Sequence, residues 1–159
     1  MSNCKNAIKN TQQSTAFQAD LEAAKNALKE HTLALCKGET VFISDLRGVA
    51  PMLGFIAEGQ ALNGFSAADV VVGKAAAMLF KKAGVTAVYA KTLSISGKRY
   101  LEENGIYAEY GALTEKIINR DGTDMCPMER AVLDISESEE GYRAILKRLQ
   151  EIRSQNVQK

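Results

Sequence analysis

The sequence predicts a single α/β domain, a mixed sheet with helices on both faces. Its 159 residues are enough for one domain with a sizeable core. Segments with helical apolar spacing alternate with short runs rich in β-branched residues, an order typical of α/β folds. The run Val85–Ala90 is apolar throughout rather than alternating, which predicts a strand covered on both sides.

In the first half of the chain, residues 1–16 are polar and are predicted to be a flexible N-terminal segment, with residues 17–159 forming the domain. The turn Lys37-Gly38-Glu39 separates two apolar runs and predicts a hairpin. Pro51 fits the first turn of a helix. The elements predicted here are helices at Phe17–Glu30 and Gly48–Glu58, and hairpin strands at Thr32–Cys36 and Thr40–Ser44.

In the second half, Ser66 can cap a helix that runs to Ala83 and is ended by Gly84. Ser94 or Ser96 can cap another helix. The remaining predicted elements are strands at Val85–Ala90 and Ile106–Tyr110, and helices at Gly97–Asn104, Leu113–Ile118, Pro127–Leu133 and Glu137–Ile152.

Composition excludes several classes of protein. The net charge is +1 and basic residues are not clustered, so we predict no nucleic-acid partner. No apolar run reaches membrane-spanning length, which argues against a membrane protein. Three widely spaced cysteines, Cys4, Cys36 and Cys126, fit neither a disulfide framework nor a Cys-x-x-Cys metal site. These observations favour a reducing cytoplasm, and no cofactor is predicted.

The order of the elements resembles the cytidine-deaminase-like fold. Zinc-dependent deaminases carry H-x-E at the start of one buried helix and P-C-x-x-C at the start of the next. Thr92-Leu93 is similar to the residues that precede the second motif, but Ile95 and Ser96 stand where its Pro and Cys would be. The single histidine, His31, lies far from the first motif. The resemblance therefore implies this fold without its zinc ligands.

From about Thr32 to Asp134, the sequence also resembles a family named as domain of unknown function 1893. The similarity rests on three segments, Ala68–Ala76, Val88–Lys91 and Ile118–Pro127, together with Glu129. It implies a deaminase-like fold without a zinc site and assigns no function. A homodimer is expected by analogy with that fold.

The segment Asn119–Glu129 concentrates polar and reactive groups, which makes it a candidate site. Cys126 precedes Pro127 and is the expected N-cap of a helix, where the helix dipole favours a thiolate. Glu129 then occupies the third helical position, that of a capping-box acid. Cys126 could be a nucleophile, a ligand contact, or a buried small side chain without a role in chemistry.

Other side chains of this segment leave alternatives open. The carboxylates of Asp121, Asp124 and Glu129 could bind a hard cation, or they could satisfy backbone amides in a turn and a helix cap. Arg120 could hold a phosphate or carboxylate as a fork, with Asn119 beside it.

A second candidate cluster follows from the deaminase-like arrangement. There, Asp69, Lys74, Ser94 and Ser96 would line one cleft. The alternative interpretation is a helix cap at Asp69 and a lysine whose charged end reaches solvent.

Three functions remain open from the sequence. The leading hypothesis is a deaminase-fold protein without zinc chemistry that binds a small nucleotide-like or anionic ligand, with a regulatory role. The second is an enzyme that uses Cys126 with nearby carboxylates. The third is an interaction subunit that packs the apolar run Val70–Leu79 or the C-terminal helix against a partner.

Overall fold

The computed structural model describes residues 17–157. The predicted flexible segment 1–16, including Cys4, and the last two residues of the predicted domain lie outside the described residues. The elements, in chain order, are α1 (residues 17–27, continued by a 3-10 turn at Leu28–Glu30), β1 (Leu33–Lys37), β2 (Thr40–Ser44), α2 (Ala50–Ala57), β3 (Ser66–Val72), α3 (Lys74–Ala83), β4 (Ala87–Ser94), α4 (Ile95–Glu103), β5 (Tyr107–Thr114), α5 (Pro127–Ala131) and α6 (Ser138–Val157).

The five strands form one mixed sheet in the order β2-β1-β3-β4-β5. Strand β1 is antiparallel to both β2 and β3, whereas β3, β4 and β5 are parallel to one another. The predicted hairpin is confirmed, and Gly38 at its turn has a φ of 58°, a conformation that glycine adopts without a steric penalty. The predicted mixed α/β domain is confirmed.

Helices cover both faces of the sheet, as predicted. On one face, Ala24 and Leu28 of the first helical segment pack against Ala34, Cys36 and Ala68. On the other face, a larger core lies beneath the remaining helices. Its fully buried side chains include Phe80, Met78, Leu79, Leu93, Leu101 and Ile145. The C-terminal helix α6 therefore contributes to the core, with Ile145 fully buried.

The prediction of one helix from Ser66 to Ala83 is wrong. Residues Ser66–Val72 form β3, which lies between β1 and β4 and pairs with both, so the centre of the sheet requires this run to be extended. Its three consecutive valines favour a strand, but an apolar run of this length does not by itself distinguish a strand from a buried helix. Gly73 ends the strand and is the N-cap residue of α3.

This correction moves Asp69 from a helix terminus to the middle of the sheet. Asp69 pairs with Leu33 on one side and with Ala90 on the other. The predicted helix-capping role of Asp69 is therefore wrong. The apolar run Val70–Leu79 is also divided between β3 and α3, and Ala75–Phe80 is buried within the domain, so it does not present the helical surface that we expected for a partner.

The predicted helix Leu113–Ile118 is also wrong. Leu113 and Thr114 complete β5, where they pair with Leu93 and Ser94 of β4. Ile118 instead forms an isolated antiparallel bridge with Met125. Leu113 and Thr114 are extended because they pair with β4. That strand is distant in sequence, so the local pattern could not predict the pairing.

Candidate functional site

Helices α3 and α4 both begin at the edge of the sheet where the parallel strands end. Gly73 joins β3 to α3, and Ser94 is both the last residue of β4 and the N-cap of α4. The two first turns are in contact, because a Cβ added to Gly97 would lie 3.0 Å from the carbonyl carbon of Gly73. Ligands of α/β proteins commonly bind outside this edge of the sheet.

The N-terminus of α3 is capped by Glu129 from α5. The Glu129 Oε2 atom accepts a hydrogen bond from the Lys74 amide at 2.9 Å, and Oε1 accepts one from the Ala75 amide at 2.9 Å. The prediction that Glu129 caps its own helix is wrong. In the folded chain the carboxylate instead caps a helix more than fifty residues away.

Gly73 is required for this contact. A Cβ at position 73 would overlap with the carboxylate of Glu129, so only glycine lets the two segments approach this closely. Burial raises the pKa of the Glu129 carboxyl, although the amides of Ala75 and Lys74 and the charge of Lys74 act to lower it. The helix N-terminus is thus already occupied by an anionic group of the protein itself.

Three residues of the second predicted cluster lie in different environments. Ser94 is fully buried, and its Oγ accepts a hydrogen bond from the Gly97 amide at 2.9 Å, which confirms the predicted N-cap of α4. The hydroxyl oxygens of Ser94 and Ser96 are 3.2 Å apart. Burial raises the pKa of Asp69 to about 7. Hydrogen bonds from the backbone amides of Val70 and Val71 have the opposite effect and lower this pKa.

A cleft of about 490 Å³ opens beside α4. Lys74 and Ser96 line it, whereas Asp69 and Ser94 do not, so the structure brings together two members of the predicted cluster. The Lys74 ammonium also donates a hydrogen bond to the Leu133 carbonyl at 3.0 Å, which ties the segment after α5 to the start of α3. The full lining is Lys74, Ser96, Arg99, Tyr100, Glu103, Asn104, Leu133, Ile135 and Ser136.

Many polar groups of the turn before α5 form hydrogen bonds or ion pairs with neighbouring residues. The Asn119 Oδ1 atom accepts a hydrogen bond from the Thr123 backbone amide at 3.1 Å. The backbone amide of Asn119 donates to the backbone carbonyl of Asp124 at 2.8 Å. Asp124 pairs with Arg130 at 2.7 Å. Arg120 and Asp121 are exposed. None of these side chains lines the cleft, so the turn and the Lys74 region are separate features.

Cys126 occupies the N-cap position of α5, as predicted, but its side chain makes no capping hydrogen bond. The thiol is half-buried and packs against the main core. Within residues 17–157, no three His, Cys, Asp or Glu side chains are placed to bind one metal ion. Asp121, Asp124 and Glu129 are therefore not brought together as a cation site, and the role of Cys126 stays a prediction.

The comparisons with known proteins identify the family. The family model described as Domain of unknown function (DUF1893) matches residues 23–149. The chain belongs to this DUF1893 family. Its fold is similar to the crystal structure of a DUF1893 family protein (TM1506) from Thermotoga maritima, with a TM-score of 0.72 and 27% sequence identity over 84% of this chain and 89% of that one. None of the curated proteins matches the chain.

The DUF1893 chain also contains cleft residues that the sequence did not single out. Arg99, Tyr100, Glu103 and Asn104 follow Ser96 on α4 at helical spacing, and this spacing on a short helix was the available signal. It was not decisive because Leu133 and Ile135, which form the opposite wall, come from a distant segment. Among the residues described, no helix has the length and apolar character needed to cross a membrane.

Proposed function

We propose that this DUF1893 protein binds a small anionic ligand in the α4 cleft. The main support for this proposal is that Lys74 and Arg99 both line one cleft of about 490 Å³. This volume lies in the range of small-molecule sites, which is roughly 300–1,000 Å³. The ligand would be a nucleotide-like molecule or another small acid.

Arg99 is exposed and its charge is available to a ligand, whereas the Lys74 ammonium already donates to the Leu133 carbonyl. Within the described part of the chain, neither Lys74 nor Arg99 forms an ion pair, whereas Lys98 on the same helix pairs with Glu102 at 2.8 Å. The planar guanidinium group can bind a carboxylate or phosphate with two parallel hydrogen bonds. The hydroxyls of Ser96 and Ser136 add groups that can donate to an acidic oxygen.

The wider proposal is that the domain has a deaminase-like fold without zinc chemistry. In this proposal the domain binds its ligand in a regulatory role. The strand order β2-β1-β3-β4-β5, with β1 antiparallel to its neighbours, supports the fold assignment. The positions at the starts of α3 and α4 hold Gly73, Lys74, Ser94 and Ser96, none of which is an ordinary zinc ligand. Glu129 occupies the space over the α3 terminus.

The binding proposal can be tested with a thermal-shift and calorimetry screen of nucleotides, phosphate esters and small carboxylates. The variants Lys74→Met and Arg99→Gln should each weaken binding of an active compound by about tenfold or more, because each removes one charged contact. Lys98→Gln is the matched control, since it removes a positive charge from α4 outside the cleft. Equal loss in all three variants would indicate a nonspecific charge effect, and a screen without any binding would contradict the proposal.

An interaction subunit is the second candidate. It is supported by large apolar side chains exposed on the two outer strands: Val41 and Ile43 on β2, and Tyr107, Tyr110 and Leu113 on β5. Unpaired strand edges of this kind are common pairing surfaces. Sedimentation of the full chain over a wide concentration range measures whether it forms a homodimer, and a monomer at every concentration would count against self-association.

A further inference from the structure

The charged groups of the α4 cleft are ordered along the helix axis. Ser96 lies at the first turn of α4 and Lys74 at the first turn of the neighbouring α3, Arg99 lies one turn further along α4, and Glu103 and Asn104 lie at its end. A rise of 1.5 Å per residue separates the Ser96 and Glu103 positions by about 10 Å. The cleft therefore has a positive end and a negative end.

The separation of charge is not cancelled by internal pairing. Among residues 17–157, Lys74, Arg99 and Glu103 form no ion pair, although Arg99 and Glu103 are four positions apart on one helix. The neighbouring pair Lys98 and Glu102, with the same spacing, does form one at 2.8 Å. The dipole of α4 has the same sense as the side chains, positive at the first turn and negative at the last.

Three of the nine residues that line the cleft have large apolar or aromatic side chains. Leu133 and Ile135 come from the segment after α5, and the ring of the buried Tyr100 lies on the opposite side. A hydrocarbon chain in this part of the cleft would cover apolar surface, whereas a third charged group there would lose hydration without a partner.

From this arrangement we infer that the ligand is a zwitterion with an acidic group bound near Lys74 and Arg99, an amino group bound by Glu103, and a short apolar chain between them. The inference rests on the proposed function, because it names the chemical class of the anionic ligand. It adds that an acid without an amino group makes no contact with the Glu103 carboxylate.

The test uses 6-aminohexanoate and hexanoate as probes, with binding measured by calorimetry or by NMR titration of the full chain at fixed ionic strength. These compounds have the same acid and the same chain length and differ in the terminal amine. The chain of 6-aminohexanoate spans most of the distance between the two ends. Wild-type protein should bind it about tenfold more tightly than hexanoate, the value of one charge-assisted contact.

The variant Glu103→Gln should remove this preference by weakening 6-aminohexanoate, while hexanoate binding stays equal or improves. Glu102→Gln, which changes the adjacent glutamate outside the cleft, should keep the preference. If wild-type protein binds both acids equally, or if Glu103→Gln keeps the preference, the zwitterion inference is wrong and the anion site stands. If neither probe nor any other anion binds, the inference and the proposed function both fail.

Discussion

The contact between Glu129 and α3 gives the sharpest prediction for stability. The variant Glu129→Ala removes the acceptor for the amides of Lys74 and Ala75, both of which lie at the start of a buried helix. A buried donor without a partner costs about 1–3 kcal/mol, and loss of a helix cap costs about 0.5–2 kcal/mol. These two costs describe the same lost contacts, and the burial cost of the carboxylate is relieved at the same time, so we expect a net loss of about 1–3 kcal/mol.

The measurement is urea unfolding at pH 7, with the free energy of unfolding obtained from the midpoint and slope. The exposed Glu115→Ala is the control and should change stability by less than about 0.5 kcal/mol. Glu129→Gln should show an intermediate loss, since its carbonyl oxygen can accept from one amide while its amino group faces the other.

A double-mutant cycle with Gly73 tests the geometry itself. Gly73→Ala places a Cβ against the Glu129 carboxylate and should destabilise the wild-type protein. Gly73 has a φ of −105° and a ψ of −171°, which alanine can adopt, so its backbone requires no glycine. Gly73→Ala should therefore cost much less in the Glu129→Ala background. A loss below about 1 kcal/mol for Glu129→Ala, or strictly additive effects in the cycle, would refute the capping argument.

Two further predictions concern Asp69 and the cysteines. The folded-state pKa of Asp69 lies near 7, above its ordinary value of 3.8, so its contribution to stability is fully present below pH 3.8 and is lost as the pH rises through about 7. Urea unfolding from pH 4 to pH 8 should show this loss, up to about 4 kcal/mol, and Asp69→Asn should reduce it; an unchanged pH profile in that variant would contradict the assignment. In alkylation at pH 7, Cys126 should react before Cys36, because Cys36 is buried and burial raises its pKa. If Cys126 reacts no faster than free cysteine, the hypothesis of a Cys126 enzyme loses its support.

Elements with strong local signals could be predicted from the sequence. The hairpin has a glycine turn between two short apolar runs, and Gly84 ends α3 in the left-handed conformation with a φ of 84°. Ser94, one of the two serines predicted as alternatives, caps α4. These outcomes depend on backbone conformations and hydrogen bonds among residues close in sequence, so the information is contained in short segments.

The candidate site was only partly predictable. Lys74 was singled out because a lysine beside an apolar run needs a partner or solvent, and it does line the cleft. Arg99 and Glu103 were not singled out, because nothing in α4 itself shows that Leu133 and Ile135 complete a cavity beside them. Asn119 and Asp124 attracted attention through their density of polar groups, which the structure explains largely by turn formation.

The sequence by itself determined the α/β class, the family, and the start or end of several helices. Only the tertiary structure decided that Ser66–Val72 is a central strand, because its hydrogen-bond partners lie in β1 and β4. Only the tertiary structure also assigned Glu129 to the N-terminus of α3. An apolar run can be buried, and a carboxylate can be hydrogen-bonded, in several different ways. The partner that is used depends on which distant segments the folded chain brings together.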